Sequence, residues 1–177
     1  MKEVLLDTET TGLSSVNDKI IEIACIEIED HIPTGEKFHV FLNPEMEISQ
    51  GAYDTHGISK EFLKDKPKFN DVAKDFIKFI DGKKLVIHNA EFDLAFLNKE
   101  LKEVGEKQIS KDNIVDTLNV AREKFPGQQS TGCFTRNICC SRICGLRRPQ
   151  KLCVRDVSNH CARFDQLLLK PDLDKSV

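Results

Sequence analysis

Two carboxylates stand two residues apart in the stretch LLDTETTG, which carries Asp7 and Glu9. Side chains alternate along a β-strand, so residues at positions i and i+2 lie on the same face. Two carboxylates held that close resist ionising together, and a divalent cation is the natural group to offset their repulsion. The spacing therefore predicts an anionic pocket at the end of a strand that is suited to a metal ion.

Three further residues extend this pocket into an oxygen-rich metal site. Asp93 is expected in the first turn of a helix that follows a buried strand, and His160 precedes Asp165 by five residues. Carboxylate oxygens suit Mg²⁺ or Mn²⁺, and two such ions can clamp the attacking and leaving oxygens of a phosphodiester during hydrolysis. Histidine, with a pKa near neutrality, is suited to take the proton from the attacking water.

The apolar pattern of the chain predicts the elements that carry these residues. Three strands joined by short turns, one of them at Pro33-Thr34-Gly35, form an antiparallel meander, and helices then alternate with short parallel strands. This order describes an α/β domain, a mixed β-sheet flanked by helices. The predicted strands cover residues 4–6, 19–30, 36–44 and 85–87, and the predicted helices end near residues 82, 105 and 127.

Length and composition fit one soluble domain over residues 1–177. The chain is 40% hydrophobic and 31% charged with a net charge of −3, so charge alone does not indicate a nucleic-acid partner. No apolar run approaches the ~20 residues of a membrane helix, and the N-terminus enters a strand without a signal-peptide pattern. We therefore expect a cytoplasmic protein with no membrane partner and with reduced cysteines.

The composition changes abruptly near residue 128. The segment 128–177 has no glutamate but holds six of the seven cysteines and six of the seven arginines; its net charge is +5, against −8 for residues 1–127. Two explanations stay open: a reading-frame disruption after about Ser130, or a divergent tail that still supplies His160 and Asp165. We expect residues 131–159 to be mobile or badly packed, because they lack apolar periodicity.

The cysteines of this segment have a metal-binding alternative. Zinc ligands could be drawn from Cys140, Cys144, Cys153, His160 and Cys161. No C-x-x-C pair occurs among them, so the spacing is poor for a structural zinc site. Cysteines without a role are the favoured interpretation.

Five segments of the first 127 residues recur in order and spacing in one known group of enzymes. They are LLDTETTGL, HGIS, FLKDKP, VIHNAEFDLAFLN and DTLNVAREKFPG. In these segments the chain closely resembles the epsilon-type proofreading exonucleases of bacterial DNA polymerase III, and more broadly the DEDDh family of 3′→5′ exonucleases. The resemblance implies a ribonuclease-H-like fold, well matched over residues 1–127 and divergent over 128–177.

The resemblance also implies roles for individual residues. Asp7, Glu9 and Asp93 match metal-binding acids, Asp165 would complete the set around two Mg²⁺ or Mn²⁺, and His160 would be the catalytic base. Asp7 and Glu9 also match acids that lie against the 3′-terminal nucleotide. In the tail, only His160, Ala162, Asp165 and a leucine run match the family's last motif.

A second substrate contact is implied by the segment HGIS. His56 matches a histidine that contacts the substrate nucleotide, whereas Gly51 stands where the family has a substrate-contacting glutamate.

Each of these residues has a structural alternative. Asp7 and Glu9 could end a solvated strand, and Asp93 could be an acid favoured by the helix dipole. His56 and His88 could be ordinary hydrogen-bonded histidines, and His88 could instead fix the turn before Asp93.

The leading functional prediction is a metal-dependent 3′→5′ exonuclease that acts on single-stranded or frayed DNA 3′ ends and releases nucleoside 5′-monophosphates. The catalytic subunit of DNA polymerase III and its other core subunits are the implied partners. Two alternatives stay open. The chain could be a catalytically inactive remnant that serves at most as a binding module, or its substrate could be RNA.

Overall fold

The computed structural model of the chain describes residues 1–124, which form a five-stranded sheet in the order β3-β2-β1-β4-β5 with helices packed against it. The strands are β1 (Lys2–Thr10), β2 (Ile20–Glu29), β3 (Ile32–Phe41), β4 (Lys84–Ile87) and β5 (Ile114–Asp116). The helices are α1 (Gln50–His56), α2 (Lys60–Leu63), α3 (Phe69–Ile80), α4 (Ala90–Glu103) and α5 (Thr117–Lys124). Among residues 1–124, no helix has the length and hydropathy of a membrane span.

The sheet is mixed, as the sequence predicts. Strands β1, β2 and β3 form an antiparallel meander, whereas β4 pairs parallel to β1 and β5 pairs parallel to β4. A parallel pair requires a crossover connection, and α4 supplies it between β4 and β5. The expected α/β architecture is confirmed, and it places the carboxyl ends of β1, β4 and β5 along one edge of the sheet.

Apolar residues on both faces of the sheet are buried. The main core lies between one face and the helices, and its fully buried members include Ile23, Phe76 and Leu97. A smaller cluster on the other face is formed around Leu5 and Val86. The central strands are therefore fixed from two sides, which holds the ends of β1 and β4 in a constant relative position.

The hairpin between β2 and β3 turns earlier than the sequence predicted. The turn residues are Asp30 and His31, with φ values of 51° and 68°, while Pro33 and Gly35 lie inside β3. Two central residues at positive φ give the primed turn whose twist matches a hairpin. The expected turn at Pro33-Thr34-Gly35 was wrong because β3 is an edge strand, where proline is tolerated, and the pairing is irregular there, with Gly35 at φ 95°.

The strand β1 is longer than predicted, and two helices were missed. Both Asp7 and Glu9 lie within β1 and not beyond its end. The short helices α1 and α2 lack strong apolar periodicity, although the side chains of Ser49 and Ser59 accept hydrogen bonds from the first-turn backbone of each helix. Serine is a preferred N-cap residue, so these two caps were the available sequence signal.

A buried carboxylate fixes the end of the sheet opposite to the carboxyl end of β1. The Glu27 side chain is only 2% exposed, and it forms ion pairs with Lys2 at 2.8 Å and Lys83 at 2.7 Å. The Thr34 hydroxyl donates a third hydrogen bond, at 3.0 Å. Hydrogen bonds from Lys2 and Lys83 lower the pKa of Glu27 to about 2. This residue of β2 therefore links β1, β3 and the start of β4.

Replacing Glu27 by glutamine tests this link. The folded-state pKa of Glu27 is lowered, so its charge stabilises the fold above the unfolded pKa of 4.5, and this contribution is lost as the pH falls towards about 2. We expect Glu27→Gln to lower the free energy of unfolding by about 2 kcal/mol at pH 7, measured by urea unfolding. The same loss at pH 3 and at pH 7 would contradict the assignment.

Candidate active site

The acids of β1 lie on one face of the strand, at its carboxyl end. Asp7 pairs with Ala24 of β2, and Glu9 pairs with Glu22. Asp7 is exposed and Glu9 is half-buried, whereas Thr8 between them is 7% exposed. The alternation of the strand thus presents two carboxylates outward and the threonine hydroxyl inward, as the spacing predicted.

Asp93 lies in the first turn of α4 and reaches the same segment of β1. The Thr8 hydroxyl donates a hydrogen bond of 2.7 Å to the Asp93 carboxylate, which is 4% exposed. Burial raises the pKa of Asp93 from its ordinary value of 3.8 to about 6, hydrogen bonds from Thr8 oppose this shift, and the charge of Glu9 adds to it. Glu9 and Asp93 are thus electrostatically coupled across β1 and α4.

A short turn aims the start of α4 at β1. Asn89 has a left-handed backbone with φ 60°, and the Asp116 carboxylate accepts hydrogen bonds from the backbone N–H groups of Asn89 (3.1 Å), Ala90 (3.3 Å) and Leu118 (2.8 Å). A carboxylate is favourable at a helix N-terminus. Asp116, at the end of β5, therefore orients α4, and the sequence analysis missed this residue.

His88 lies in the same turn and contacts Thr117. Its Nδ1 is 3.0 Å from the Thr117 hydroxyl, so its observed contact joins β4 to α5. This geometry agrees with the alternative that His88 fixes the turn before Asp93.

A second missed feature lies directly across the sheet from Glu9. Glu22 is the antiparallel partner of Glu9 on β2, and its carboxylate is 2.6 Å from His39 Nε2 on β3. Directly opposed residues of neighbouring strands have Cβ atoms about 5 Å apart, so Glu22 places a third carboxylate on the face that presents Glu9. The hairpin register, which the sequence did not fix, was needed to find it.

His56 is the last residue of α1, and its ring orientation is set locally. The Ile58 backbone N–H donates a 3.0 Å hydrogen bond to His56 Nδ1, so the Nε2 atom carries the proton of the neutral ring. Gly51 stands in the first turn of the same helix, and a Cβ atom built on it would meet no atom within 4 Å. A longer side chain at this position is therefore sterically allowed.

A pocket of about 310 Å³ opens between α4 and the loop that follows β1. Its wall includes Leu13 and Ser15 from the loop and Asn89, Glu91 and Phe92 from the start of α4. The Leu13 side chain is 88% exposed. The wall of the pocket thus includes the residue that immediately precedes Asp93 in sequence and a loop residue four positions after Glu9.

The carboxylate oxygens of these acids suit a hard divalent cation. Residues 1–124 supply only part of the predicted set of metal ligands. Within residues 1–124, no group of three or more histidine, cysteine, aspartate or glutamate side chains is close enough to enclose a metal ion. Asp165 and His160, predicted as a ligand and the base, lie outside the described residues, as does the cysteine cluster. Oxygen ligands favour Mg²⁺ or Mn²⁺, so Asp7, Glu9 and Asp93 fit as part of such a site.

A five-stranded mixed sheet in the order β3-β2-β1-β4-β5, flanked by helices, has the ribonuclease-H-like architecture. The sequence signature of the exonuclease family of ribonuclease T matches residues 4–139. The chain therefore belongs to this exonuclease family.

Two relatives with clear sequence similarity to the chain are DNA polymerase III epsilon subunits. The chain is 48% identical over 133 residues to the DNA polymerase III subunit epsilon of Rickettsia felis, covering 73% of this chain and 58% of that protein. It is 41% identical over 139 residues to the DNA polymerase III subunit epsilon of Escherichia coli, covering 73% and 57%. The chain thus spans somewhat more than half the length of these relatives.

Solved structures confirm the predicted fold class. Escherichia coli exonuclease I in complex with an oligonucleotide aligns with a TM-score of 0.64 at 17% identity, over 72% of this chain and 31% of that one. Exonuclease X in complex with 5′-overhanging duplex DNA aligns with a TM-score of 0.57 at 24% identity, over 86% and 78%.

The raised pKa of Asp93 predicts an unusual dependence of stability on pH. The folded state holds the proton up to about pH 6, whereas the unfolded state releases it near 3.8. Ionised Asp93 therefore destabilises the metal-free fold, and this penalty grows as the pH rises through that interval to about 3 kcal/mol. Asp93→Asn keeps an oxygen that can accept from Thr8 and removes the charge.

We expect Asp93→Asn to unfold at the same urea concentration as the parent chain below pH 4 and at a higher one at pH 7.5, both in EDTA. A variant that is less stable than the parent at pH 7.5 would contradict the buried-charge assignment.

Proposed function

We propose that this chain is a metal-dependent 3′→5′ exonuclease that acts on single-stranded or frayed DNA 3′ ends and releases nucleoside 5′-monophosphates. The observation that carries this proposal is the contact of Asp93 with Thr8, the residue between Asp7 and Glu9 in the sequence of β1. It brings acids from two separate parts of the sequence to one strand end, and the exonuclease family signature spans all three.

In this proposal, Asp7, Glu9, Asp93 and Asp165 hold two Mg²⁺ or Mn²⁺ ions. Such ions, when bound, stabilise the negative charge that develops on a phosphodiester under attack by water. The partial burial of Glu9 and the burial of Asp93 support this assignment, because carboxylates removed from water gain most from a cation. His160 takes the proton of the attacking water as general base.

The substrate contacts of the proposal surround the carboxylates. The 3′-terminal nucleotide lies against Asp7 and Glu9, and His56 contacts it from the end of α1. His56 Nδ1 accepts from the Ile58 backbone N–H, so Nε2 carries the ring proton. This N–H suits a sugar or phosphate oxygen; Nε2 is buried in the described structure, so the contact requires the surrounding residues to move when a nucleotide binds. Leu13 and Phe92 in the wall of the pocket are apolar side chains that a base can contact, and the 310 Å³ volume of the pocket is in the range of small-ligand sites.

The relatives named as subunits of DNA polymerase III support a proofreading context. We propose that the chain works in the cytoplasm beside the catalytic subunit and the other core subunits of that polymerase. The lysine-rich, overall acidic composition agrees with a protein that reaches DNA through bound metal ions and a polymerase partner, without a strongly basic surface of its own.

A direct assay tests the proposed activity. The purified 177-residue chain is incubated with a 5′-labelled single-stranded DNA in Mg²⁺ or Mn²⁺, beside Glu9→Gln and a reaction with EDTA. We expect stepwise shortening from the 3′ end, slower by at least about 100-fold in Glu9→Gln because one ligand charge is lost, and abolished by EDTA. A folded parent chain that does not shorten the DNA would contradict the proposal and favour the inactive-remnant alternative.

A matched RNA oligonucleotide in the same assay distinguishes the two substrates. We expect faster shortening of the DNA. Faster shortening of the RNA would contradict the DNA assignment and leave the exonuclease assignment intact.

Gly51 offers a gain-of-function test. The family's substrate-contacting glutamate is replaced by this glycine, and space exists for a side chain at the position. We expect Gly51→Glu to lower KM for DNA severalfold, because it restores a polar contact near His56. Gly51→Ala is the matched control: it gains the same ~1 kcal/mol of helix propensity without the carboxylate. Equal KM values for the two variants would contradict a substrate contact at this position.

A further inference from the structure

The loop between β1 and β2, residues 11–19, connects three parts of the candidate site. It begins two residues after Glu9, and it carries Leu13 and Ser15 to the wall of the pocket. Its ends are closed by two hydrogen bonds, from Thr11 N to Lys19 O at 2.9 Å and from Lys19 N to the Thr11 hydroxyl at 3.1 Å. The position of the pocket wall relative to Glu9 therefore depends on how this loop is held.

The Asp18 carboxylate organises the interior of the loop. One oxygen accepts from the Thr11 hydroxyl at 3.0 Å, and the other accepts from the Ser14 backbone N–H at 2.9 Å. The Asp18 backbone N–H in turn donates to the Ser14 carbonyl at 2.7 Å. These bonds bracket Leu13 on both sides in sequence, so they fix the backbone that presents it.

Gly12 shows how closely the loop is folded around this carboxylate. A Cβ atom at Gly12 would lie 2.5 Å from Asp18 Oδ2. Real Cβ atoms do not approach an oxygen that closely, and Gly12 has no positive φ that would explain the glycine. A larger residue at position 12 would therefore require the Asp18 side chain to move from its observed place.

The same loop is bonded to the two helices that carry the other site residues. The Thr11 carbonyl accepts from the backbone N–H of Ser49, the N-cap of α1, at 2.8 Å, and α1 ends in His56. Lys99 of α4 donates to the Asp18 carbonyl at 3.1 Å, about two turns after Asp93. Thr11 is fully buried, so its contacts are shielded from competition by water.

The acceptor Glu100 strengthens the connection to α4. Its carboxylate, 5% exposed, accepts from the Ile20 backbone N–H at 3.2 Å. Since Ile20 follows the loop directly, two consecutive residues of α4, Lys99 and Glu100, bond to the far end of the loop.

We propose that Asp18 is a positioning residue of the exonuclease site. Through Thr11 and Ser14 it holds the Leu13 wall of the pocket and the α1 helix in register with the carboxylates of β1, and it touches neither the metal site nor the scissile phosphate. This inference rests on the proposed function. In this role Asp18 affects the binding of the terminal nucleotide and not the chemical step. Removing its carboxylate therefore weakens the binding of substrate and transition state alike, which raises KM with kcat unchanged.

The test compares Asp18→Asn with Asp75→Asn in the full chain. The amide introduced by Asp18→Asn has a single acceptor oxygen, so it cannot accept from both Thr11 and Ser14 in the observed geometry. Asp75 is exposed on α3 and provides the same chemical change elsewhere. We expect Asp18→Asn to raise KM for a DNA oligonucleotide roughly tenfold with kcat within about twofold of the parent, and Asp75→Asn to match the parent. Melting temperatures measured for each protein verify that it is folded.

A second variant tests the route through Thr11. Thr11→Val has nearly the same shape and lacks the hydroxyl, so we expect it to raise KM as Asp18→Asn does. The double variant should raise KM by less than the product of the two single effects, because each single change removes the same hydrogen bond between Thr11 and Asp18. A double variant whose increase in KM equals the product of the two single increases would overturn the proposal that Asp18 acts through Thr11.

Two outcomes separate this inference from the function on which it rests. A parent chain that shortens DNA while Asp18→Asn behaves like Asp75→Asn, or loses kcat at constant KM, would overturn the assignment of Asp18 alone. A folded parent chain without exonuclease activity would overturn the proposed function and the assignment together.

Discussion

The hydrogen bond from the Thr8 hydroxyl to the Asp93 carboxylate is the contact on which the candidate site depends. It joins the first strand to the crossover helix at the point where β1 extends beyond its parallel pairing with β4, which ends at Leu5↔Val86. Because Thr8 points inward, Asp7 and Glu9 on either side of it point to the other face. One inward residue thus fixes the relation between all three acids.

Each end of the sheet holds a buried carboxylate, and the pKa values of the two are shifted in opposite directions. At one end, Glu27 is buried but paired with two lysines, and its pKa is lowered to about 2. At the other end, burial and the charge of Glu9 raise the pKa of Asp93 to about 6. The first arrangement stabilises the metal-free fold, and the second reduces its stability. Proteins retain a destabilising buried charge where function requires it. A cation bound beside Asp93 would make the contribution of this charge to stability favourable.

The positions of the acids could be predicted from the sequence because they depend on local rules. Alternation along β1 gave the common face of Asp7 and Glu9, and an apolar strand followed by a helical pattern placed Asp93 in a first turn. The predicted turn at Pro33 was wrong because the true turn uses two residues at positive φ, Asp30 and His31, which are not glycines. Local sequence did not distinguish an edge strand that tolerates proline from a turn.

Residues that act through long-range contacts were beyond the reach of sequence patterns. Glu22 is adjacent to Glu9 only through the register of the hairpin, and Asp116 reaches the start of α4 only because β5 pairs beside β4. The bonds of Thr11 and Asp18 to α1 and α4 likewise join segments that are far apart in sequence. Such contacts follow from the topology of the sheet and its helices, which local sequence patterns do not determine.

If Asp7, Glu9 and Asp93 act together as a cation site, their loss must weaken metal binding, which electron paramagnetic resonance of Mn²⁺ measures. The parent chain, Glu9→Gln and Asp93→Asn are each titrated with Mn²⁺ at pH 7.5, with Asp75→Asn as the control. We expect saturable binding to the parent and to the control, weakened at least about tenfold in each of the other two variants. Equal affinity in all four proteins would contradict this cation site.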